Sequence, residues 1–376
     1  MGSGIIILPP LIYNKVGDYS LVVWGVTVVL GFVFALIFGK LSTLYKGEGG
    51  VSLATKKALG RKYQLLSSFY LIFAVFFGPV AVLLMAAKFL QTYFDFDIAI
   101  LAFFIYIVIY MLLLFRIDFI GKIMVVVTSF ITLMFLTSSI YTLLHVENFN
   151  FELRGIDAGS MGEAFLLAFW SIVGWEVIGS YSNEVKDTKT ITKAVLLSAV
   201  VVSGVYILSA LAISFGEFSY SGDFELVYLI GKLYGDYAGV LLCFVGVVLC
   251  TGTLILFVGS VARLISSLEF CSYSSKRFKT GAPIGALNIL SFVFVLTLVG
   301  VYFKIIDIAS LVAFSNAFFI SNAIIGLISA FILFKSKVIR FFTALLVFLF
   351  FIILMFSNWM ILLLVFGLWL WMSEKK

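Results

Sequence analysis

Two short segments hold the residue types and spacings with the most chemistry. Gly2-Ser3-Gly4 stands at the start of the chain, followed by Ile5-Ile6-Ile7-Leu8-Pro9-Pro10. Ala168-Phe169-Trp170-Ser171-Ile172-Val173-Gly174-Trp175-Glu176 lies inside another apolar run and sets a glycine next to a carboxylate. Within a helix a glycine costs about 1 kcal/mol and a proline about 3 kcal/mol relative to alanine. Where such residues interrupt a helix inside lipid, the released N–H and C=O groups need partners from protein, water or a solute. Free N–H groups at the start of a half-helix favour a carboxylate, and free carbonyls at the end of one favour an ammonium or a cation. A zwitterionic amino acid presents both charges. Two interruptions in corresponding segments therefore predict a solute site of that kind. Glu176, an acid at membrane depth, points to gating or ion coupling. Plainer readings stand beside these: close helix packing at the glycines, a Glu176 that pairs with a neighbouring polar group, and a Trp170 that faces lipid.

Other chemistries have little support. Cys243, Cys250 and Cys271 show neither disulfide nor metal-ligand spacing, and His145 is the single histidine. That argues against a haem protein, a zinc protease or a histidine proton relay. No cofactor is indicated, and no metal. An intramembrane lipid-modifying enzyme would need facing aspartates or a His/Glu/Asp cluster, whereas Asp95 and Asp97 stand alone.

The elements that must position these segments follow from composition. Hydrophobic residues make up 63% of the 376 and charged residues 12%. A water-soluble domain is about half apolar and a quarter charged. Long apolar blocks such as Ile98–Phe115 read as membrane-spanning helices. They do not alternate as barrel strands do. The pattern predicts spans at about 18–43, 63–93, 97–116, 120–144, 161–184, 189–216, 235–268, 283–303, 306–334, 338–356 and 358–373, after a shorter piece, Gly4–Tyr13. The connections are short, so residues 1–376 read as one all-α polytopic membrane domain. A regular amphipathic stretch, 51–61, reads as a helix lying on the membrane surface.

Counting the Gly4–Tyr13 piece as the first helix, twenty of the 25 lysines and arginines fall on one side, in the loops around 40–62, 116–122, 186–193, 263–279 and 335–340 and at the C-terminus. The opposite side holds Lys15, Arg154, Lys232 and Lys304, together with the acids Asp95, Asp97, Glu147, Glu152, Asp157, Glu217, Asp223, Glu225 and Asp236. The positive-inside rule makes the basic side cytoplasmic. The net charge of +6 is then a topology signal with some contact to anionic lipid, and nucleic acid is not expected as a partner.

The same segments resemble the amino acid–polyamine–organocation superfamily of permeases. Gly2-Ser3-Gly4-Ile5-Ile6-Ile7-Leu8-Pro9 is similar to that family's first helix. Trp170-Ser171-Ile172-Val173-Gly174-Trp175-Glu176, with Glu184-Val185-Lys186-Asp187 behind it, is similar to its sixth. Gly47-Glu48-Gly49-Gly50 with Leu59-Gly60-Arg61, and Ala262-Arg263-Leu264, resemble its inner-loop and eighth-helix elements. Phe76-Phe77-Gly78-Pro79-Val80-Ala81-Val82 looks like the branch of bacterial methionine and branched-chain amino acid exporters.

The resemblance implies a leucine-transporter-like fold. Two inverted five-helix repeats, about 1–144 and 161–334, would be followed by accessory helices over about 338–373. It implies alternating access around a midplane site in the cell membrane, with both termini cytoplasmic in the family arrangement. It places Gly2, Ser3 and Gly4 at the substrate carboxylate, and Trp170, Val173 and Gly174 along the substrate cavity, with Trp170 as an aromatic wall. Glu176 would act in gating or coupling. Ala81, Met85, Thr251 and Ser315 are further pocket candidates.

The functional expectation is secondary active transport of small neutral or aliphatic amino acids, with efflux by proton antiport as one form. A broader amino acid or polyamine uptake permease or exchanger is the alternative. The chain departs from the family pattern in three places. By the resemblance it would begin inside the first broken helix, without that helix's cytoplasmic half, through either a start assigned too late or a truncated copy. Thr188 stands near the place of the family's proline. The fifth helix, Ile123–Leu144, has no lysine to stand in for a coupling cation. Oligomeric state is not legible.

Overall fold

The computed structural model describes residues 2–374 apart from 116, 148–150, 152–154, 186 and 217–225. Of the residues read above, Met1, Arg116, Glu152, Arg154, Lys186, Glu217, Asp223, Glu225, Lys375 and Lys376 lie outside the described residues.

The described chain is helical throughout. In order the helices are α1 (Gly4–Val16), α2 (Ser20–Leu44), α3 (Val51–Leu59), α4 (Arg61–Gln91), α5 (Ile98–Leu113), α6 (Ile117–Leu144), α7 (Ala158–Ala168), α8 (Thr188–Phe215), α9 (Leu226–Tyr234), α10 (Ala238–Leu268), α11 (Ile284–Tyr302), α12 (Ile308–Leu333), α13 (Lys337–Met355) and α14 (Trp359–Glu374). Among the described residues nine stretches are long and apolar enough to cross a membrane; α1 and α2 fall in one of them and α9 and α10 in another. The spans expected at 97–116 and 358–373 form the shorter apolar helices α5 and α14.

Aspartates fix several helix starts. The Asp97, Asp157, Asp187 and Asp307 carboxylates accept main-chain N–H groups at 2.8, 2.9, 3.0 and 2.7 Å at the starts of α5, α7, α8 and α12. Each satisfies a donor that the helix itself cannot. Hydrogen bonds from Ser160 hold the Asp157 carboxyl below the usual aspartate range, and those from Ser310 do the same for Asp307.

α1 runs through Pro9 and Pro10, as the expected Gly4–Tyr13 piece does. Proline has no N–H, so the carbonyls one turn back go without their ladder bonds, yet φ stays helical. Two expectations change. The 51–61 stretch is not a purely surface helix. α3 buries Val51, Ser52, Ala54 and Thr55 against neighbouring helices, and Ser329 of α12 donates to the Thr55 hydroxyl at 3.2 Å. Only Lys56 and Lys57 keep the solvent face. Second, α9 occupies what reads as loop, a single short amphipathic helix against α6 and α10.

The helices pack around two apolar cores. One is built mainly on α4, α10 and α12, with α5, α11, α13 and α14 around them. The other joins α1, α7, α8, α9 and the second half of α6. α2 packs along α8. Hydrogen bonds reinforce the first core: Ser67 donates to Asn322 Oδ1 at 2.7 Å, and the Tyr70 hydroxyl donates to the Val365 carbonyl at 2.9 Å. Trp170 packs against both cores and so sits on the seam between them.

The loop before α3 touches residues 179–182 and the loop after α10. Gly50 lies against Gly179, and a Cβ on Gly179 would come within 2.9 Å of Gly50 Cα. Gly47 N–H donates to Ser182 Oγ at 3.1 Å, and Glu48 pairs with Arg277 in the loop after α10. Backbone stands against backbone here, so an added side chain has no flexible neighbour to displace. Gly179→Val is therefore expected to destabilise the protein by about 1–3 kcal/mol. Thermal unfolding of the purified protein in detergent reads this; an unchanged midpoint would mean the contact does not hold the fold.

Candidate functional site

The segment 168–184 is not a continuous α-helix. α7 ends at Ala168, a 3₁₀ turn covers Phe169–Ser171, and a second 3₁₀ stretch runs Trp175–Glu184. Between them Gly174 has φ +126°, a conformation L side chains rarely adopt. Ile172 and Val173 N–H both turn back to the Phe169 carbonyl, at 2.8 and 3.3 Å. Among the described residues no main-chain N–H reaches the carbonyls of Trp170, Ser171, Ile172 or Val173. This is the carbonyl-rich end of an interrupted helix, with the partial negative charge such ends carry.

The Glu176 side chain explains how the turn is held. Its Oε2 accepts the Gly174 N–H at 2.9 Å. The residue is 4% exposed, and Oε1 is buried without a hydrogen-bond partner. Burying a carboxyl with an unfilled oxygen is costly unless the group works there.

The start of α1 lies beside this segment, with Gly4 against the Trp170 indole. Ser3 N–H donates to Thr253 Oγ1 of α10 at 3.1 Å, and Thr253 donates in turn to the Leu249 carbonyl at 2.8 Å. Ser3 is buried and its Oγ has no partner. α1 then begins at Gly4; the Ile5 and Ile6 N–H groups turn back to the Gly2 and Ser3 carbonyls at 3.4 and 3.2 Å, and among the described residues the Gly4 N–H reaches no main-chain acceptor. A Cβ on Gly4 would stand 2.9 Å from Tyr206 Oη, 3.1 Å from Leu8 Cδ1 and 3.4 Å from Trp170 Cδ1. The far edge of the same indole approaches Gly78, whose Cβ would lie 3.4 Å from Trp170 Cη2. Trp170 therefore spans from Gly4 of α1 to Gly78 of α4.

These groups face one cavity of about 610 Å³, a size suited to a small-molecule site. Its walls come from the residues before and at the start of α1, from α4, α6, α8, α10 and α12, and from the broken segment. Gly2, Ser3, Gly4, Trp170, Val173 and Gly174 all line it. No lining residue carries a formal charge, and most are aliphatic or aromatic, with Trp175, Phe257 and Phe319 prominent.

Ala81, Met85, Thr251 and Ser315 do not line the cavity. On α4 the wall is Gly78, Pro79 and Val82, while Ala81 is fully buried in the helix core. Met85 packs against that core as well. On α10 the hydroxyl at the wall is Thr253; Thr251, two positions away, donates to the Val247 carbonyl instead. Two residues along an α-helix is a rotation of about 200°, enough to reverse the face. Ser315 stands behind Gly78 and donates to the Leu311 carbonyl. Glu176 also lies outside the lining and acts on the turn through Gly174. Tyr206, Thr253 and Tyr181 escape a sequence reading because nothing in their local pattern separates them from core residues of α8, α10 and the 3₁₀ stretch.

The described residues hold no group of three or more potential metal ligands. The sequence matches the amino acid permease model over residues 1–371. The chain belongs to the amino acid permease family. It is 26% identical over 239 residues to the uncharacterized amino acid permease YecA of Bacillus subtilis, a match covering 61% of this chain and 55% of the relative. It is 24% identical over 248 residues to the putative amino-acid transporter MJ1196 of Methanocaldococcus jannaschii, covering 64% and 65%. The matches thus span less than two thirds of either relative's length.

Among solved structures the chain is similar to the Eremococcus coleocola manganese transporter bound to an aromatic bis-isothiourea compound, with a TM-score of 0.66. Identity there is 12%, covering 99% of this chain and 90% of that one. A point mutant of the same transporter gives a TM-score of 0.62 at 12% identity, covering 99% and 92%. At that identity the likeness concerns the fold alone. The fold is the leucine-transporter-like one, and the chain is a multi-pass membrane protein. Its relatives are permeases and transporters rather than enzymes, which answers the alternative of a lipid-modifying enzyme.

Proposed function

We propose that this protein is a secondary active transporter of neutral, aliphatic amino acids in the cell membrane, with its basic loops on the cytoplasmic side. The observation that carries the reading is the pairing of opposite main-chain ends across one uncharged cavity. The substrate carboxylate meets the positive end of α1 at the Gly4 N–H, and its ammonium meets the open carbonyls of 170–173. The apolar walls receive the side chain and offer no countercharge to a cationic one, which disfavours arginine and polyamines. The names of the two sequence relatives agree with an amino acid as cargo.

Proton antiport supplies the driving force, and Glu176 is the proton carrier. It is buried, has an oxygen without a partner, and touches the turn that shapes the site. Export of methionine or branched-chain amino acids is the physiological direction.

The test is flux of labelled leucine and methionine in vesicles reconstituted with the purified protein, with and without an imposed pH gradient. Gradient-stimulated flux of these two, and none of labelled arginine or putrescine, is the expected result. Flux of arginine or putrescine would shift the reading to a broader permease, and absence of any amino acid flux would remove it.

Trp170→Ala is expected to raise the half-saturating leucine concentration by about tenfold or more. The substitution deletes the wall between Gly4 and Gly78 and leaves the solute fewer contacts. Concentration dependence of initial flux reads this directly; an unchanged half-saturation would place the substrate elsewhere.

A further inference from the structure

We infer that Tyr206 of α8 is the side-chain donor that completes the carboxylate end of the site. The inference rests on the functional reading above and adds a specific residue to it.

The cavity has no cationic side chain, so a bound carboxylate has only neutral donors available. Most hydroxyl protons along its wall are already committed. Ser171 donates to the Ala168 carbonyl at 2.7 Å, Thr253 to Leu249 at 2.8 Å, Thr128 to Met124 at 2.6 Å and Tyr181 to Leu256 at 2.9 Å. Ser198 lies eight residues before Tyr206 on α8, roughly 12 Å along the helix from the start of α1. Ser3 and Tyr206 remain. Ser3 Oγ is buried without a partner, and Tyr206 Oη faces the same glycine, Gly4.

Tyr206 is also held rigidly. Its ring is 5% exposed and stacks on Trp24 of α2, with centroids 4.7 Å apart and planes 19° from parallel. α2 and α8 pack along their length, so the ring cannot swing away without moving two helices. A fixed phenol pointing at the first turn of a helix is a preorganised donor, and such a donor loses little entropy on binding. Together the Ser3 and Tyr206 hydroxyls and the Gly4 amide surround the place where a carboxylate would lie. A hydrogen bond to a charged group is worth more than a neutral one.

Tyr206→Phe removes the hydroxyl and keeps the stacked ring. The expected result is a rise of about tenfold in the half-saturating leucine concentration, with the maximal rate little changed. Discrimination of leucine over leucinamide, which keeps the ammonium and side chain but lacks the carboxylate, should fall by the same factor. Thermal unfolding of the variant in detergent should match wild type. Equal weakening of leucine and leucinamide would mean a merely structural role and overturn the inference. So would unaltered half-saturation for leucine. Either result with wild-type flux intact leaves the functional reading standing, whereas wild-type protein without amino acid flux overturns both.

Discussion

Gly4→Leu should abolish leucine flux, with a loss of at least about a hundredfold, while the protein still inserts and folds. The first atom of the new side chain would already be 2.9 Å from Tyr206 Oη and 3.4 Å from the Trp170 indole. Three further carbons must then enter the cavity between the α1 amides and the broken segment. They block the main-chain donors and wedge apart the two groups that shape the carboxylate end. Overpacking of a tight site typically costs about 1–3 kcal/mol, and loss of the charge-assisted bonds to the helix start adds to that. Part of the added bulk enters the cavity and part presses on Tyr206 and Leu8, so the variant should fold with a lowered unfolding midpoint. Flux in reconstituted vesicles, with detergent thermal unfolding as the control for folding, checks both halves. Near-normal flux would mean that substrate does not approach Gly4.

Glu176→Gln separates shape from coupling. Glutamine keeps an oxygen that can accept the Gly174 N–H, so the turn with Gly174 at φ +126° can persist. It cannot exchange a proton. Flux driven by an imposed pH gradient should fall by about a hundredfold, while exchange of labelled for unlabelled leucine at equal pH continues. Glu176→Ala should lose both, because the Gly174 amide then has no side-chain acceptor and the interruption can relax. Full gradient-driven flux in the Gln variant would exclude Glu176 as the proton carrier.

Much of this architecture is legible in the chain itself. Apolar length finds the spans, because a lipid-facing helix must be apolar for about twenty residues regardless of its neighbours. Gly174 and Glu176 betray the interruption because neither suits a plain spanning helix. The cavity-lining residues at 2–4 and 170–174 are legible for the same reason.

What fails is the choice of face. Ala81, Met85, Thr251 and Ser315 stand on the correct helices and miss the cavity wall, because in helices apolar on every side no periodicity marks an inward face. α9 is missed because nine residues between charged loops carry too little pattern. The buried face of α3 is missed because amphipathicity shows a half-apolar helix and cannot tell lipid from protein as its partner. Pro9 and Pro10 fall inside the Gly4–Tyr13 piece legible in the chain, and the helix absorbs them.

The central claim is that main-chain groups at two interrupted helices receive both charges of one solute. Counterflow of labelled leucine into vesicles preloaded with unlabelled leucine tests it most directly, with three competitors outside: leucine, 3-methylbutylamine, which lacks the carboxylate, and 4-methylpentanoate, which lacks the ammonium. Inhibition by leucine, with each single-charge analogue weaker by about a hundredfold, is the predicted result. Equal inhibition by the amine or the acid would contradict it.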